Sequence, residues 1–280
     1  MDHKTVLAIL QSRADAPRVL DFAMPFASRQ DAHVIGLHAE ALPVAMASPM
    51  GAPAVDFSVE FEAQARKRHT ELRKLFDDRA AAEGIMAEWR EFESVSGDSA
   101  VSGIESARAA DLVIAQQNDP DADARVAADL EALLFDSGRP VLLLPSTYKG
   151  DGAKFRKVVL AWNGTKEAAR AAFDALPLMK EAGNIEVLTV DPSDTLQQDA
   201  SMAGSAIAAS LARHGLNVST KAEQSGNLSQ GEVIANHLAE TGADLLVMGA
   251  FGRSRVAEFI FGGVTRTMLQ SMTTPTFMAR

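Results

Sequence analysis

The chain repeats itself. Lys4-Thr5-Val6-Leu7-Ala8 matches Lys157-Val158-Val159-Leu160-Ala161, and His33-Val34-Ile35-Gly36-Leu37 takes the same place as Ile185-Glu186-Val187-Leu188-Thr189. Further on, Ala110-Asp111-Leu112-Val113-Ile114 matches Ala243-Asp244-Leu245-Leu246-Val247, and Pro140-Val141-Leu142 matches Pro275-Thr276-Phe277. The order is the same in both halves, so one unit has been duplicated. Whatever one half folds into, the other must fold into as well. The spacing between partners shortens after the second match, so the first half carries an insertion. It is visible as Ala41–Val59, ALPVAMASPMGAPAVDFSV. Its Ala, Pro and Met content predicts a mobile loop, with a flap of adaptable apolar surface as the alternative.

Each half follows one grammar. Short β-branched runs (Val6–Leu10, Val34–His38, Leu112–Ala115, Val141–Leu144) alternate with longer segments of helical period. Apolar runs buried on both faces and separated by helices indicate a parallel sheet with right-handed crossovers. In the second half strands are expected near 156–162, 185–190, 216–222, 244–249 and 275–279, with helices near 165–182, 198–214, 229–241 and 262–272. Ser229 and Glu232 have the spacing of a capping box. The fold class is therefore α/β: two domains, 1–147 and 154–280, each a five-stranded parallel sheet flanked by helices. Ser146–Gly152 is the polar seam between them.

Composition narrows the function. The chain has 37 acidic and 27 basic residues, a formal charge of −10, which argues against a nucleic-acid surface. The densest basic patch, Arg66-Lys67-Arg68 with Arg73-Lys74, is interleaved with Glu62 and Glu71 and reads as a solvated helix face. No segment approaches the roughly 18 apolar residues of a membrane helix, and MDHKTVLAIL reads as a first strand rather than a signal peptide. With no cysteine, disulfides and thiolate chemistry are excluded. A cytoplasmic protein with no membrane partner is the expectation.

In an open parallel sheet, ligands bind at the carboxyl ends of the strands near the switch in strand order. After the fourth strand of the second half come Met248-Gly249-Ala250-Phe251-Gly252 and then Gly262-Gly263-Val264-Thr265. Gly249 and Gly252 allow positive φ and close backbone approach. Gly262 and Gly263 lead into a helix whose N–H groups and dipole favour an anion. The spacing G-x2-G-x9-G resembles the nucleotide-binding pattern of the universal stress protein family. Similar to that family too are Ala243–Gly249, Leu160-Ala161-Trp162-Asn163-Gly164-Thr165 and Thr274-Pro275-Thr276-Phe277. The resemblance covers both halves and is strongest over 155–280.

The resemblance implies Rossmann-like domains of the adenine nucleotide alpha hydrolase-like type. It also implies a site for ATP or another adenine nucleotide, with or without Mg2+. Ala161, Trp162 and Asn163 would hold adenosine, and Val190 would line the adenine slot. Met248, Gly249 and Gly252 would face ribose and phosphates, while Gly262, Gly263, Val264 and Thr265 would receive phosphate oxygens. The family usually has Asp where Asn163 stands, and Ser or Thr where Gly263 stands. Asn brings no charge, and Thr265 offers a hydroxyl two positions after Gly263. The family also implies pairing through last strands, Pro140–Leu144 and Pro275–Ala279, in an intramolecular pseudo-dimer, with a homodimer as a further option.

The first half departs from the pattern. Leu10-Gln11-Ser12 replaces Asn163-Gly164-Thr165, Gln116 and Asp119 stand for Gly249 and Gly252, and Ala127-Ala128 replaces the second glycine pair. Asp119-Pro120-Asp121 adds carboxylates where phosphates would lie. One nucleotide per chain, in the second half, is the expectation. No P-loop, nucleophile elbow or H-E-x-x-H occurs, so catalytic residues and metal ligands are expected to be none and ATP hydrolysis at most slow. The scattered histidines read as ordinary core or surface residues, Asp244 as a strand-start cap and Asp191 as turn chemistry. Arg253 and Arg255 read equally as phosphate contacts or solvated loop. The leading reading is an adenine-nucleotide-binding regulator of stress response. A dimerisation scaffold with two vestigial sites is the alternative; an ATP-hydrolysing enzyme of the same fold group comes third.

Overall fold

The computed structural model describes residues 3–41, 55–94, 100–118, 130–150, 154–192, 202–250 and 263–280. The first repeat runs β1 (Thr5–Ile9), α1 (Ala16–Gln30), β2 (His33–Ala41), α2 (Val55–Glu83), β3 (Ala87–Ser94), α3 (Ala100–Arg108), β4 (Leu112–Gln116), α4 (Leu130–Asp136) and β5 (Val141–Leu144). The second runs β6 (Lys157–Ala161), α5 (Lys166–Asp174), α6 (Leu176–Met179), β7 (Asn184–Val190), α7 (Ser205–Arg213) and β8 (Val218–Glu223). It continues with α8 (Gln230–Thr241), β9 (Leu245–Gly249), α9 (Val264–Ser271) and β10 (Thr276–Ala279). Among these helices none is long and apolar enough to cross a membrane.

The chain forms two compact units. One is built on His3–Ser137; the other on Gly138–Tyr148 together with Ala153–Arg280. In the first, the strands lie in the order β3-β2-β1-β4, all parallel, with Val6 opposite both Val34 and Leu112. In the second, β8-β7-β6-β9-β10 are parallel, with Ala161 opposite Met248 and Ala279 opposite Gly249. The fold is α/β, as the pattern of apolar runs predicts. The central strands are apolar because helices cover both faces: Val6, Leu7 and Ala8, and Val158, Val159 and Leu160, are fully buried.

The same clamp starts both sheets. Asp111 Oδ2 accepts the Lys4 and Thr5 amides, each at 2.9 Å. In the second repeat the Asp244 carboxylate accepts the Arg156 and Lys157 amides, again at 2.9 Å. Each Asp ties the start of its fourth strand to the start of its first. The capping box of α8 is also present, with Ser229 and Glu232 satisfying each other's backbone amides, and Gly242 closes that helix at φ 61°. The basic patch of α2 is a solvated face, with Arg66 paired to Glu62, Arg73 to Asp77 and Lys74 to Asp78.

Several expectations need correction. Ala41 ends β2, and residues 55–59 begin α2 rather than a loop; the rest of the insertion lies outside the described residues. The helix expected over 165–182 is two pieces, because Ala175 ends α5 while Pro177 opens α6, where its missing N–H costs nothing. Gly249 is absent from the glycines with positive φ, and Gly263 has φ −65° and ψ 156°. Neither needs glycine for its dihedrals. The final strands of the two repeats do meet: β5 pairs antiparallel with β10, Leu142 opposite Phe277. The allegiance of β5 is what the sequence does not show, for it belongs to the compact unit of the second repeat.

Candidate functional site

The switch in strand order of the second repeat falls between β6 and β9. From β6 the chain moves outward through β7 and β8, then returns to the other side of β6 as β9. A crevice outside the carboxyl ends of β6 and β9 is where this topology places ligands. Ala161, Trp162 and Asn163 leave β6 there, Met248 and Gly249 end β9, and Val190 ends β7. The structure therefore brings six of the expected residues to one edge of one sheet. Gly252 and Gly262 lie outside the described residues, as do Arg253 and Arg255.

Local hydrogen bonds fix the turn after β6. The Trp162 amide donates to the Leu188 carbonyl at 2.8 Å, which extends the β6–β7 ladder past the last strand residue. Asn163 Oδ1 accepts from the Thr165 amide at 3.2 Å and the Thr165 hydroxyl at 2.8 Å. Thr165 caps α5, accepting from the Ala168 amide at 3.2 Å. The Asn163 carbonyl oxygen is thus engaged in the turn. Its exposed side-chain amide is a donor and not an acceptor.

Gly249 is required by packing. A Cβ on it would lie 2.4 Å from the Ala168 nitrogen and 2.6 Å from the Glu167 carbonyl carbon. Both are backbone atoms of the first turn of α5, so the missing side chain lets that helix start sit directly on the end of β9. Glu167 is carried there with it, buried at 5 % exposure. Sequence reasoning did not single out this carboxylate; its place two residues after the Thr165 cap was the available signal.

Gly263, Val264 and Thr265 open a separate element, α9. Gly263 is its N-cap, no side chain caps it, and the Arg266 and Thr267 amides bond back to the Gly263 carbonyl at 3.0 and 3.2 Å. A helix start of this kind carries amide donors and the positive end of the helix dipole. Thr265 is only 3 % exposed, so its side chain is part of the interior. Asp191 is turn chemistry, as expected: at φ 50° it accepts from the Ser225 amide at 2.8 Å and from Gln230 at 3.4 Å. The Ser225 hydrogen bonds hold its carboxyl below the usual carboxylate range. Among the described residues no group of three or more His, Asp or Glu side chains could hold a metal ion.

The corresponding edge of the first repeat is filled with side chains. Gln11 donates to Asn118 at 3.3 Å and Arg18 to Gln116 at 2.8 Å. Asp15 accepts from the Gln11 amide at 3.0 Å and from the Ser12 hydroxyl. Gln11, Asp15, Gln116 and Gln117 are all buried. Burial pushes the Asp15 carboxyl above its ordinary value, and the hydrogen bonds from Ser12 and Gln11 only partly oppose this. Asp119, Ala127 and Ala128 lie outside the described residues.

The sequence model of the universal stress protein family matches residues 154–280. The match covers the second repeat alone. No curated protein matches the sequence. Among solved structures, a universal stress protein from Archaeoglobus fulgidus DSM 4304 is 18 % identical, with 99 % of this chain and 96 % of that one covered at a TM-score of 0.72. A protein from Pseudomonas aeruginosa UCBPP-PA14 assigned to the universal stress proteins is 16 % identical, covering 99 % and 93 % at a TM-score of 0.57. A Pseudomonas aeruginosa PAO1 protein of unknown function is 15 % identical, covering 99 % and 92 % at the same score. At these identities the likeness concerns the fold, and it extends over both repeats.

Proposed function

We propose that this chain is a universal stress protein that binds one adenine nucleotide, at the carboxyl ends of β6 and β9, and acts as a regulator with little or no turnover. The observation that carries the reading is the contrast between the two strand-order switches. In the second repeat, Ala161, Val190, Met248 and Gly249 bring small or apolar residues to that edge. Asn163 adds an outward amide donor, and Gly263 opens a helix with no side-chain cap. In the first repeat Gln11, Asn118, Arg18 and Gln116 satisfy one another across the same edge. Turnover well below the roughly 1–10³ s⁻¹ of enzymes is part of the same proposal.

The test is calorimetric titration of the intact chain with ATP, ADP and AMP. Gly249 is a poor probe, because any side chain there strikes α5. Gly263 has dihedrals that any residue adopts, so Gly263→Leu keeps the fold and crowds the helix start. We expect it to weaken binding at least about tenfold, equal to ~1.4 kcal/mol, while Gln116→Ala leaves affinity unchanged. Two equivalent sites, or binding abolished by Gln116→Ala, would refute the asymmetry.

One observation favours a second reading. The glycine at 249 is accounted for by the packing of α5, without any ligand. Together with the buried Thr265 side chain, this suits a scaffold whose two sites are both vestigial. No nucleotide bound by the intact chain at millimolar concentration is the outcome that selects it.

A further inference from the structure

The interior of the second repeat holds a hydrogen-bonded bridge that the nucleotide reading does not use. His237, on α8, is 4 % exposed. Its Nδ1 faces Glu223 Oε1 of β8 at 2.8 Å, and its Nε2 faces Glu186 Oε1 of β7. The two carboxylates lie on neighbouring parallel strands, about one-quarter exposed each. One imidazole thus fastens one helix to two strands.

Proton counting makes the bridge conditional. A neutral imidazole has one N–H and one lone pair, so it can donate to only one of two carboxylates. With both ring nitrogens protonated, both contacts are donor to acceptor and charge-assisted. Removing one proton turns a lone pair toward a carboxylate oxygen inside a water-poor site. The neighbouring charges do not replace the lost proton. On β7, Glu186 is the one ionisable side chain. On β8 the second is Lys221, exposed. On α8 Glu232 is held by Ser229 and Glu240 is exposed, as is Arg266 on the adjoining α9. From β6, Lys157 Nζ donates at 3.2 Å to the Thr241 carbonyl, at the end of α8.

We propose that the second repeat is proton-responsive, with His237 as a clasp that holds α8 on β7 and β8 only while its ring carries both protons. The clasp is coupled to the sheet edge. Glu223 also accepts the Asp191 amide through its carbonyl at 2.8 Å, and Asp191 in turn holds Ser225 and Gln230 at the entry to α8. Loosening His237 therefore loosens the turn at Asp191. The signal read is proton concentration, and the output is how firmly α8 is held. Nothing in this requires a nucleotide, so it stands or falls independently of that reading.

The sign follows from the chemistry. The clasp contributes stability while the ring is doubly protonated and both glutamates are ionised. That contribution is lost when the ring gives up one of its two protons. The experiment is ring-nitrogen NMR of the intact, histidine-labelled protein from pH ~5 to ~9, paired with thermal unfolding over the same range. The Glu186→Gln/Glu223→Gln double variant keeps side-chain size and removes both charges. We expect the double variant to lose the doubly protonated ring signature that wild type shows under the same conditions, with its folded circular dichroism retained. We also expect the wild-type advantage in midpoint to shrink as pH passes the wild-type ring titration. A ring that is neutral throughout, or midpoint profiles of wild type and double variant that run parallel, overturns the proposal. Should His237→Gln fail to fold, the double variant still decides the matter.

Discussion

The two repeats agree where their strands begin and disagree where they end. At the amino ends, Asp111 and Asp244 make the same pair of backbone hydrogen bonds at the same distances. At the carboxyl ends, Gln116 takes a hydrogen bond from Arg18 in one repeat, while in the other Gly249 admits the first turn of α5 against β9. The lesson is that one fold has two separable ends. The starts of the strands are held by a clamp that must survive for the sheet to assemble. The other ends are the part a duplicated copy can fill with side chains and keep folding, which is why function in such sheets concentrates there.

The comparison can be broken most severely at Gly249. A Gly249→Val change forces a side chain into backbone that cannot yield, and should cost about 3 kcal/mol in urea unfolding. Gln116→Gly in the first repeat should cost only about 1 kcal/mol, mostly through backbone entropy. Equal losses would mean that the helix–strand contact is not what distinguishes the two ends. The shared clamp gives a sharper and smaller test. Asp111→Ala and Asp244→Ala should each cost about 1 kcal/mol, since the amides released are partly hydrated. The two values should agree within about 0.5 kcal/mol; a large inequality would deny that the clamp is one device used twice.

The smallest effect concerns charge. Burial raises the Asp15 carboxyl above its ordinary value, so the folded state binds its proton more tightly than the unfolded chain does. Stability attributable to this group therefore falls as pH rises from the usual carboxylate range through the folded titration, and stays lower above it. Asp15→Asn keeps an acceptor for the Gln11 amide and removes the buried charge. Its thermal midpoint should lie slightly above wild type at neutral pH, with the gain gone in acid. A loss at neutral pH would mean that the charge itself, through Ser12, holds the start of α1.

Much of this was legible in the sequence because it is local. The strands of the second repeat fall within two residues of their expected starts, since each is an apolar run between turn signals. The Ser229–Glu232 box and the strand-start role of Asp244 needed only spacing and residue type. What stayed hidden is non-local. Val141-Leu142-Leu143-Leu144 reads as a buried strand, but four apolar residues carry no label for their partner, so the meeting of β5 with β10 is implied by the family resemblance and not by the residues themselves. The missing Cβ of Gly249 is visible as a letter; whether it faces a phosphate or a helix is not. His237 lay on a helix with no hint of acids around it, because Glu186 and Glu223 reach it from strands 51 and 14 residues away in sequence. The one clue was an ionisable residue in the otherwise uncharged strand NIEVLTV.

The place of β5 has a consequence for the chain as a covalent object. Val141, Leu142, Leu143 and Leu144 are fully buried, and their ladder partner is β10. A protease that nicked the exposed Lys149 would break the chain without parting it. The amino-terminal piece would stay anchored through a strand inserted into the carboxyl-terminal piece, and the two would co-elute until denaturant released them. The converse holds for a gene cut at the same seam. Its carboxyl-terminal product would emerge with one side of β10 unpaired, an open edge that invites a second copy or an aggregate.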